Sequence, residues 1–328
     1  MYSAIITGVG MYVPDNLVTN ADLAEEYGRP LKPSLEAKVG IFQRYIAGSD
    51  ESTADLATKA GERAIADAGL KPEDIGLVIV ATDTPEYITP ATSFVVQGRL
   101  NAVNAGAFDI NASCSGFVSA MNAACRMVMT GGYGHILVIG AYNMTKYADR
   151  SNYALFPIFA DGAGAAVISR SEKGGGFVGS KLHADGTQFD LMGIYAGGTK
   201  YPMTRERFDR KEHMLQSLKP LPPDRNVQLW PPIIETLVKE NGLRVKDIDF
   251  IFFTQINRWI IDTVMPILGL PMEKTICIMD RYGYTGSACI PMALRAALDG
   301  KRLKRGDNVV FIASGVGLGV ASILYKWV

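Results

Sequence analysis

The sequence predicts an α/β protein made of two homologous halves, arranged as α/β/α/β/α layers. Three observations carry the prediction. A repeat recurs at one fixed offset, helical and buried-strand patterns alternate within each copy, and the composition can fill a large core. The 328 residues suit about two domains, and 48% are apolar against 20% charged, so large-scale disorder is excluded. Lysine plus arginine and aspartate plus glutamate each total 33. A chain without net charge is not built chiefly to grip nucleic acid or an anionic membrane.

The repeat has an offset of 173 residues. Gly69-Leu70-Lys71 returns as Gly242-Leu243-Arg244, and Asp74-Ile75 as Asp247-Ile248. Cys114-Ser115-Gly116 maps onto Ser287-Ala288-Cys289, and Ile136–Ile139 onto Val309–Ile312. The period is too long for a solenoid. Halves of 1–172 and 173–328 are expected.

Along the chain, Met1–Thr7 reads as a strand and not as a signal peptide. Gly8-Val9-Gly10 follows it but lacks the third glycine of a dinucleotide fingerprint. Ser52 can cap a helix over Thr53–Ala68, stopped by Gly69. Leu77–Ala81 and Phe250–Thr254 are apolar on both faces, as strands covered from both sides are. A helix runs from about Cys114 to Thr130 and stops at Gly131-Gly132. Asp161–Ala165 reads as a turn into a strand. Tyr142–Phe159 and Lys200–Asn226 have no counterpart in the repeat. They are either solvated loops or a lid, and a lid-like segment is placed near 186–228. Val309–Tyr325 is broken by Gly315, Gly317 and Gly319. It is shorter than the roughly 20 apolar residues that cross a bilayer, so it reads as two strands around a turn. A cytoplasmic protein without a membrane span is expected.

Four cysteines (Cys114, Cys125, Cys277, Cys289) show no zinc spacing, and no metal site is expected. Cys114 stands between a strand ending near Ile110 and the start of a helix, where unpaired N–H groups favour thiolate. From spacing alone it reads first as a packed core thiol, the default for the other three as well. Gly315 could bring a backbone N–H close to a thioester oxygen. His135 reads as a loop residue, His183 lies beside a turn and His213 in the charged segment. Spacing selects none of them as catalytic.

Several stretches together resemble the β-ketoacyl-acyl-carrier-protein synthase III family of the thiolase superfamily. They are Lys38-Val-Gly-Ile-Phe-Gln-Arg-Tyr-Ile46, Ile79-Val-Ala-Thr-Asp-Thr-Pro85, Asp109-Ile-Asn-Ala-Ser-Cys-Ser-Gly-Phe117, Asp161-Gly-Ala-Gly-Ala165, Gln255-Ile-Asn257 and Arg281-Tyr-Gly283. The resemblance implies a thiolase-like duplicated βαβαβαββ fold and a homodimer. It implies no permanently bound cofactor, with a coenzyme A or acyl-carrier-protein thioester as substrate and partner. Cys114 would be the nucleophile, and the N–H groups of Cys114 and Gly315 would hold the oxyanion. Lys38 and Arg150 would lie near the coenzyme A entrance, although the spacing from Arg150 to Asp161 is about three residues longer than the family's. The tryptophan often found near Ser34 is missing.

Two further departures concern the chemistry. Family members that condense with malonyl-carrier protein have a His-Gln-x-Asn motif, and this chain has Thr254-Gln255-Ile256-Asn257. They also have Gly-Asn-Thr, and this chain has Gly283-Tyr284-Thr285. Thr254 and Tyr284 can each donate a hydrogen bond but cannot act as imidazole, and Tyr284 should shrink the second-substrate pocket. Three readings follow. The first is a divergent acyl-transferring or condensing enzyme that uses an acyl-Cys114 but not ordinary malonyl decarboxylation. The second is a non-catalytic partner subunit. The third is an ordinary ketosynthase III with Thr254 and Tyr284 as unorthodox oxyanion donors. His183 or His213 could supply a base if the fold brings either close.

Overall fold

The computed structural model describes residues 2–328. Nine principal strands make two sheets. The first contains β1 (Ser3–Tyr12), β2 (Leu77–Ala81), β3 (Gly106–Ile110), β4 (His135–Asn143) and β5 (Asp161–Ser171), in the spatial order β1-β5-β4-β2-β3. The second contains β6 (Gly176–Ala184), β7 (Phe250–Phe253), β8 (Asn308–Gly315) and β9 (Gly319–Lys326), in the order β7-β8-β9-β6. In each sheet the strands toward one edge pair in parallel, β2 with β3 and β4, and β7 with β8. The remaining pairs, β1 with β5, β5 with β4, β8 with β9 and β9 with β6, are antiparallel. The repeat seen in the sequence is also one of elements: Ser3 and Gly176, and Leu77 and Phe250, open matching strands.

Six principal helices complete the layers: α1 (Thr53–Asp67), α2 (Thr92–Arg99), α3 (Gly116–Met129), α4 (Arg225–Glu240), α5 (Arg258–Ile267) and α6 (Cys289–Asp299). The pair α3 and α6 lies between the sheets. The pair α1 and α2 covers the outer face of the first sheet, and α4, backed by α5, covers that of the second. This is the thiolase-like α/β fold.

Local sequence explains the close packing. Ser52 caps α1 in a reciprocal box with Asp55. The helix presents Ala57, Ala60 and Ala64, all fully buried. It rests on β1 where Gly8 and Gly10 lie, and a Cβ on either would fall 2.3 Å from the carbonyl oxygens of Ala64 and Ala60. These glycines therefore sit inside the first strand, not after it, and serve helix packing. Every residue of β2 is buried.

The seam between the halves is built at the repeat position of Cys114. Ser287 Oγ lies 3.0 Å from both Ala81 O and Ala141 O, so it bridges β2 and β4 from the other half. Gly140 makes room for it, since a Cβ there would sit 2.3 Å from Ser287 O.

Three sequence expectations are corrected and one is refined. The helix after Cys114 starts at Gly116, and Cys114 itself occupies a single tight turn, Ser113–Ser115. His135 is the first residue of β4, tied to Ser169 Oγ at 2.8 Å, and is not in a loop. His183, expected beside a turn, is the penultimate residue of β6, opposite Val320 and just before the Gly186–Gln188 turn, so here the structure refines the expectation. Asp161 is buried within β5 from its first residue and accepts from Ala47 N at 2.8 Å and Thr145 N at 3.0 Å. No helix among the described residues is long and apolar enough to cross a membrane.

Candidate active site

The C-terminal ends of β2 and β3 lie side by side, with Ala81 opposite Ile110. Crevices beyond such strand ends are where α/β sheets bind ligands. Here the chain after β3 enters the Ser113–Ser115 turn. Asn111 Oδ1 accepts from Ser113 N at 3.2 Å, and Ser115 Oγ donates to Ala112 O at 2.7 Å. Ser113 is held at φ 48°, an unusual conformation for a residue with a side chain. Strained residues of this kind collect at functional sites, and this one aims the next residue, Cys114.

Cys114 lines an inner cavity of about 60 Å³. Asp83, Tyr142, Phe159, Arg225, Tyr284 and Gly315 share its wall. An outer cavity of about 230 Å³ adjoins it, and Phe159, Met192, Leu221, Arg225, Asn226 and Ile256 line both. Tyr142, Phe159 and Tyr284 form an aromatic cluster with centroids 6.1–6.5 Å apart. Tyr284 is fixed by Ile158 O, which accepts from its N–H at 3.0 Å, and by Ala160 N, which donates to its carbonyl at 2.9 Å.

Gly315 lies against Cys114. A Cβ on it would fall 2.8 Å from Cys114 N and 3.0 Å from Ala112 O. The neighbouring Ser314 is anchored twice, its N–H donating to Thr254 Oγ1 at 3.0 Å and its hydroxyl to Asn226 Oδ1 at 2.9 Å. Thr254 is thus buried and engaged, and it lines neither cavity. Through that bond it holds the strand end next to Gly315. Asn257 lines the outer cavity, where its side chain caps α5 by accepting from Trp259 N at 3.0 Å.

Lys38 is exposed beside Val39, a residue of the outer cavity wall. Arg150 is not a free cation. Its Nε and Nη2 hold both oxygens of Glu26 at 2.6 and 2.8 Å. No histidine lines either cavity, and His213 stacks on Phe208 with centroids 4.6 Å apart. This removes His183 and His213 as substitute bases. Cys125 and Cys289 are buried as expected, whereas Cys277 is only half-buried.

The electrostatics of the thiol also differ from expectation. Burial, and next the Asp83 carboxylate, push the Cys114 thiol well above the usual thiol range, while a hydrogen bond with Tyr284 pulls it down. The turn before α3 therefore does not by itself supply a thiolate. Tyr284→Phe removes the hydrogen bond. Alkylation of Cys114 by iodoacetamide at fixed pH, followed by peptide mass, is expected to slow about 5–10-fold, the equivalent of about 1 kcal/mol.

Asp83, Tyr142, Arg225 and Asn226 were not selected from the sequence. The signal for Asp83 was its place two residues beyond a parallel strand. Arg225 and Asn226 had a weaker one, as they end the segment without a repeat counterpart.

Comparison with known proteins agrees with this geometry. Residues 108–186 match the family described as 3-oxoacyl-[acyl-carrier-protein (ACP)] synthase III, and residues 238–327 match its C-terminal region. The β-ketoacyl-[acyl-carrier-protein] synthase III of Caldanaerobacter subterraneus subsp. tengcongensis is 37% identical, covering 99% of this chain and 98% of its own. Among solved structures, the 3-oxoacyl-[acyl-carrier-protein] synthase III of Aquifex aeolicus superposes with a TM-score of 0.86 at 30% identity, covering 99% of this chain and all of that one. The priming β-ketosynthase of the R1128 polyketide pathway gives 0.88 at 28% identity, covering 99% of this chain and 96% of its own. Fold, sequence and the cysteine at the strand-end crevice converge, and the chain belongs to the 3-oxoacyl-[acyl-carrier-protein] synthase III family.

Proposed function

We propose that this ketosynthase III-like enzyme carries an acyl group on Cys114, taken from a coenzyme A or acyl-carrier-protein thioester. The observation that carries the reading is Cys114 on the wall of a small cavity that adjoins a larger one, with Gly315 packed against its backbone nitrogen. The sulfur attacks the thioester carbonyl, the N–H groups of Cys114 and Gly315 hold the oxyanion, and the carrier thiol leaves. The inner cavity suits an acyl head of a few heavy atoms, and the outer one suits the arm that delivers it. Lys38 is the cation left free to meet a carrier phosphate, because Arg150 is committed to Glu26. The names of the relatives favour acyl carrier protein as a partner.

The second half-reaction is read as divergent. Thr254 lines neither cavity, so Tyr284 alone remains on the wall to replace the two donors that malonyl decarboxylation uses in the family. Removal of one oxyanion donor typically costs about 10²–10³ in rate. An acceptor other than malonyl-carrier protein fits this site better.

We also propose pairing of two copies through β3, an edge strand. Tyr87, Ile88, Phe94 and Val103 are exposed at 54–84% on the segments leading to it. A twofold protomer mass by light scattering is the expected result.

The test of the acyl-Cys114 reading is intact mass after incubation with a panel of acyl thioesters. Gain of one acyl group, with short chains loading fastest, is expected. No adduct on folded protein across the panel supports the non-catalytic subunit instead. Carbon dioxide release from malonyl-carrier protein at rates typical of the family supports the ordinary ketosynthase.

A further inference from the structure

The loop after β2 carries a carboxylate with one oxygen that no structural bond uses. Its neighbours are committed. Thr84 N donates to Thr82 Oγ1 at 3.0 Å, Thr84 Oγ1 accepts from Asn143 N at 2.9 Å, and Thr53 Oγ1 donates to Thr84 O at 2.6 Å. Asp83 between them lines the inner cavity with Cys114, and its Oδ1 is buried with no hydrogen-bond partner. A carboxylate oxygen withheld from water without a partner is costly, and such groups concentrate where chemistry is done.

The other ionisable groups in that cavity cannot take up a proton at neutral pH. Burial keeps Tyr142 and Tyr284 as phenols, their titration pushed far up. Arg225 is a guanidinium. Behind the wall, Cys289 is a buried thiol, and Asp161 already accepts from two backbone N–H groups. Attack by Cys114 on a thioester nevertheless requires its proton to leave.

We propose that Asp83 is the general base of this site, taking the Cys114 proton as the sulfur attacks the donor thioester and returning it to the departing carrier sulfur. The inference rests on the acyl-Cys114 reading. The Sγ–carbonyl carbon bond forms as Sγ–H gives its proton to the Asp83 carboxylate. The donor's carbon–sulfur bond then breaks, the carbonyl re-forms, and the carboxyl proton passes to the leaving thiolate. Thiol and thioester exchange one for one, and no co-reactant is consumed. In deacylation the same carboxylate takes the proton of an acceptor X–H and hands it to Cys114. Because Asp83 also repels a thiolate, it works by transfer during attack and not by storing a preformed anion.

That opposition gives the experiment two signs. Single-turnover acylation by an acyl-coenzyme A that loads the wild type is followed by intact mass from about pH 5 to about pH 9. It is compared with iodoacetamide alkylation of Cys114 in the wild type, Asp83→Asn and Asp83→Glu. Wild-type acylation is expected to rise with pH through about 6, the value to which burial pushes the Asp83 carboxyl. Asp83→Asn is expected to acylate about 10²–10⁴-fold more slowly at pH 7 and to lack that limb. Its alkylation is expected to match or exceed wild type, because the repelling charge is gone, and Asp83→Glu recovers part of the acylation. Acylation by the Asn variant at or above the wild-type rate overturns the proposal and leaves the Cys114 chemistry standing. If the Asn variant does not melt cooperatively, Asp83→Glu decides: because burial also pushes Asp161 to about 6, the limb must shift in the Glu variant, and a limb that is absent or unmoved overturns the proposal. A wild type that takes no acyl mass from any thioester overturns the acyl-Cys114 reading itself.

Discussion

Cys114→Ala is expected to leave a folded protein that takes up no acyl mass from any thioester and whose turnover falls by about 10⁴–10⁶-fold, the scale on which an enzyme loses its nucleophile. Stability is expected to change little. The residue is half-buried in a cavity wall, and the substitution removes one sulfur from an existing void instead of opening a new one. Intact mass reads the adduct, and a denaturant melt reads the fold. The other three cysteines control for stray acylation, since an adduct that survives Cys114→Ala lies on Cys125, Cys277 or Cys289. Such an adduct with retained turnover removes Cys114 from the chemistry.

Gly315→Ala is the second large expectation. The added methyl would stand 2.8 Å from Cys114 N and from Ser113 Cβ. Backbone surrounds it, so the turn carrying Cys114 must move. Displacement of oxyanion donors by about 1 Å costs about 10²-fold, and loss of one costs about 10²–10³-fold. Acylation is expected to fall within that range. Alkylation of Cys114 by iodoacetamide, a displacement that develops no oxyanion, is expected to change far less. Equal losses in both reactions would point to a collapsed turn and not to a lost oxyanion site.

Much of the architecture was legible because both copies kept one spacing. Glycine stops at Gly69 and Gly242, strands at Leu77 and Phe250, and helices at Gly116 and Cys289 hold the same register, and helix-ending chemistry is local. Cys114 and Gly315 were legible through motif context. Asp83 was not. It lies 31 residues before Cys114, and only the parallel register of β2 with β3 brings the two loops to one crevice. Thr254 shows a related limit. Its place in the chain suggested a donor, whereas its Oγ1 accepts from Ser314 N and it lines neither cavity. Arg150 illustrates a third limit. A basic residue near a motif looks available until folding brings Glu26 from 124 residues away to meet it.

Ser287 has a mechanical consequence. By spanning Ala81 O and Ala141 O it rivets one half of the molecule to the other directly behind the reactive crevice. This contact ties the loop before α6 to the ends of two strands of the first sheet. Leu221 and Arg225, by contrast, stand on the walls of both cavities, so a change in either side chain reshapes the passage between them without touching that tie.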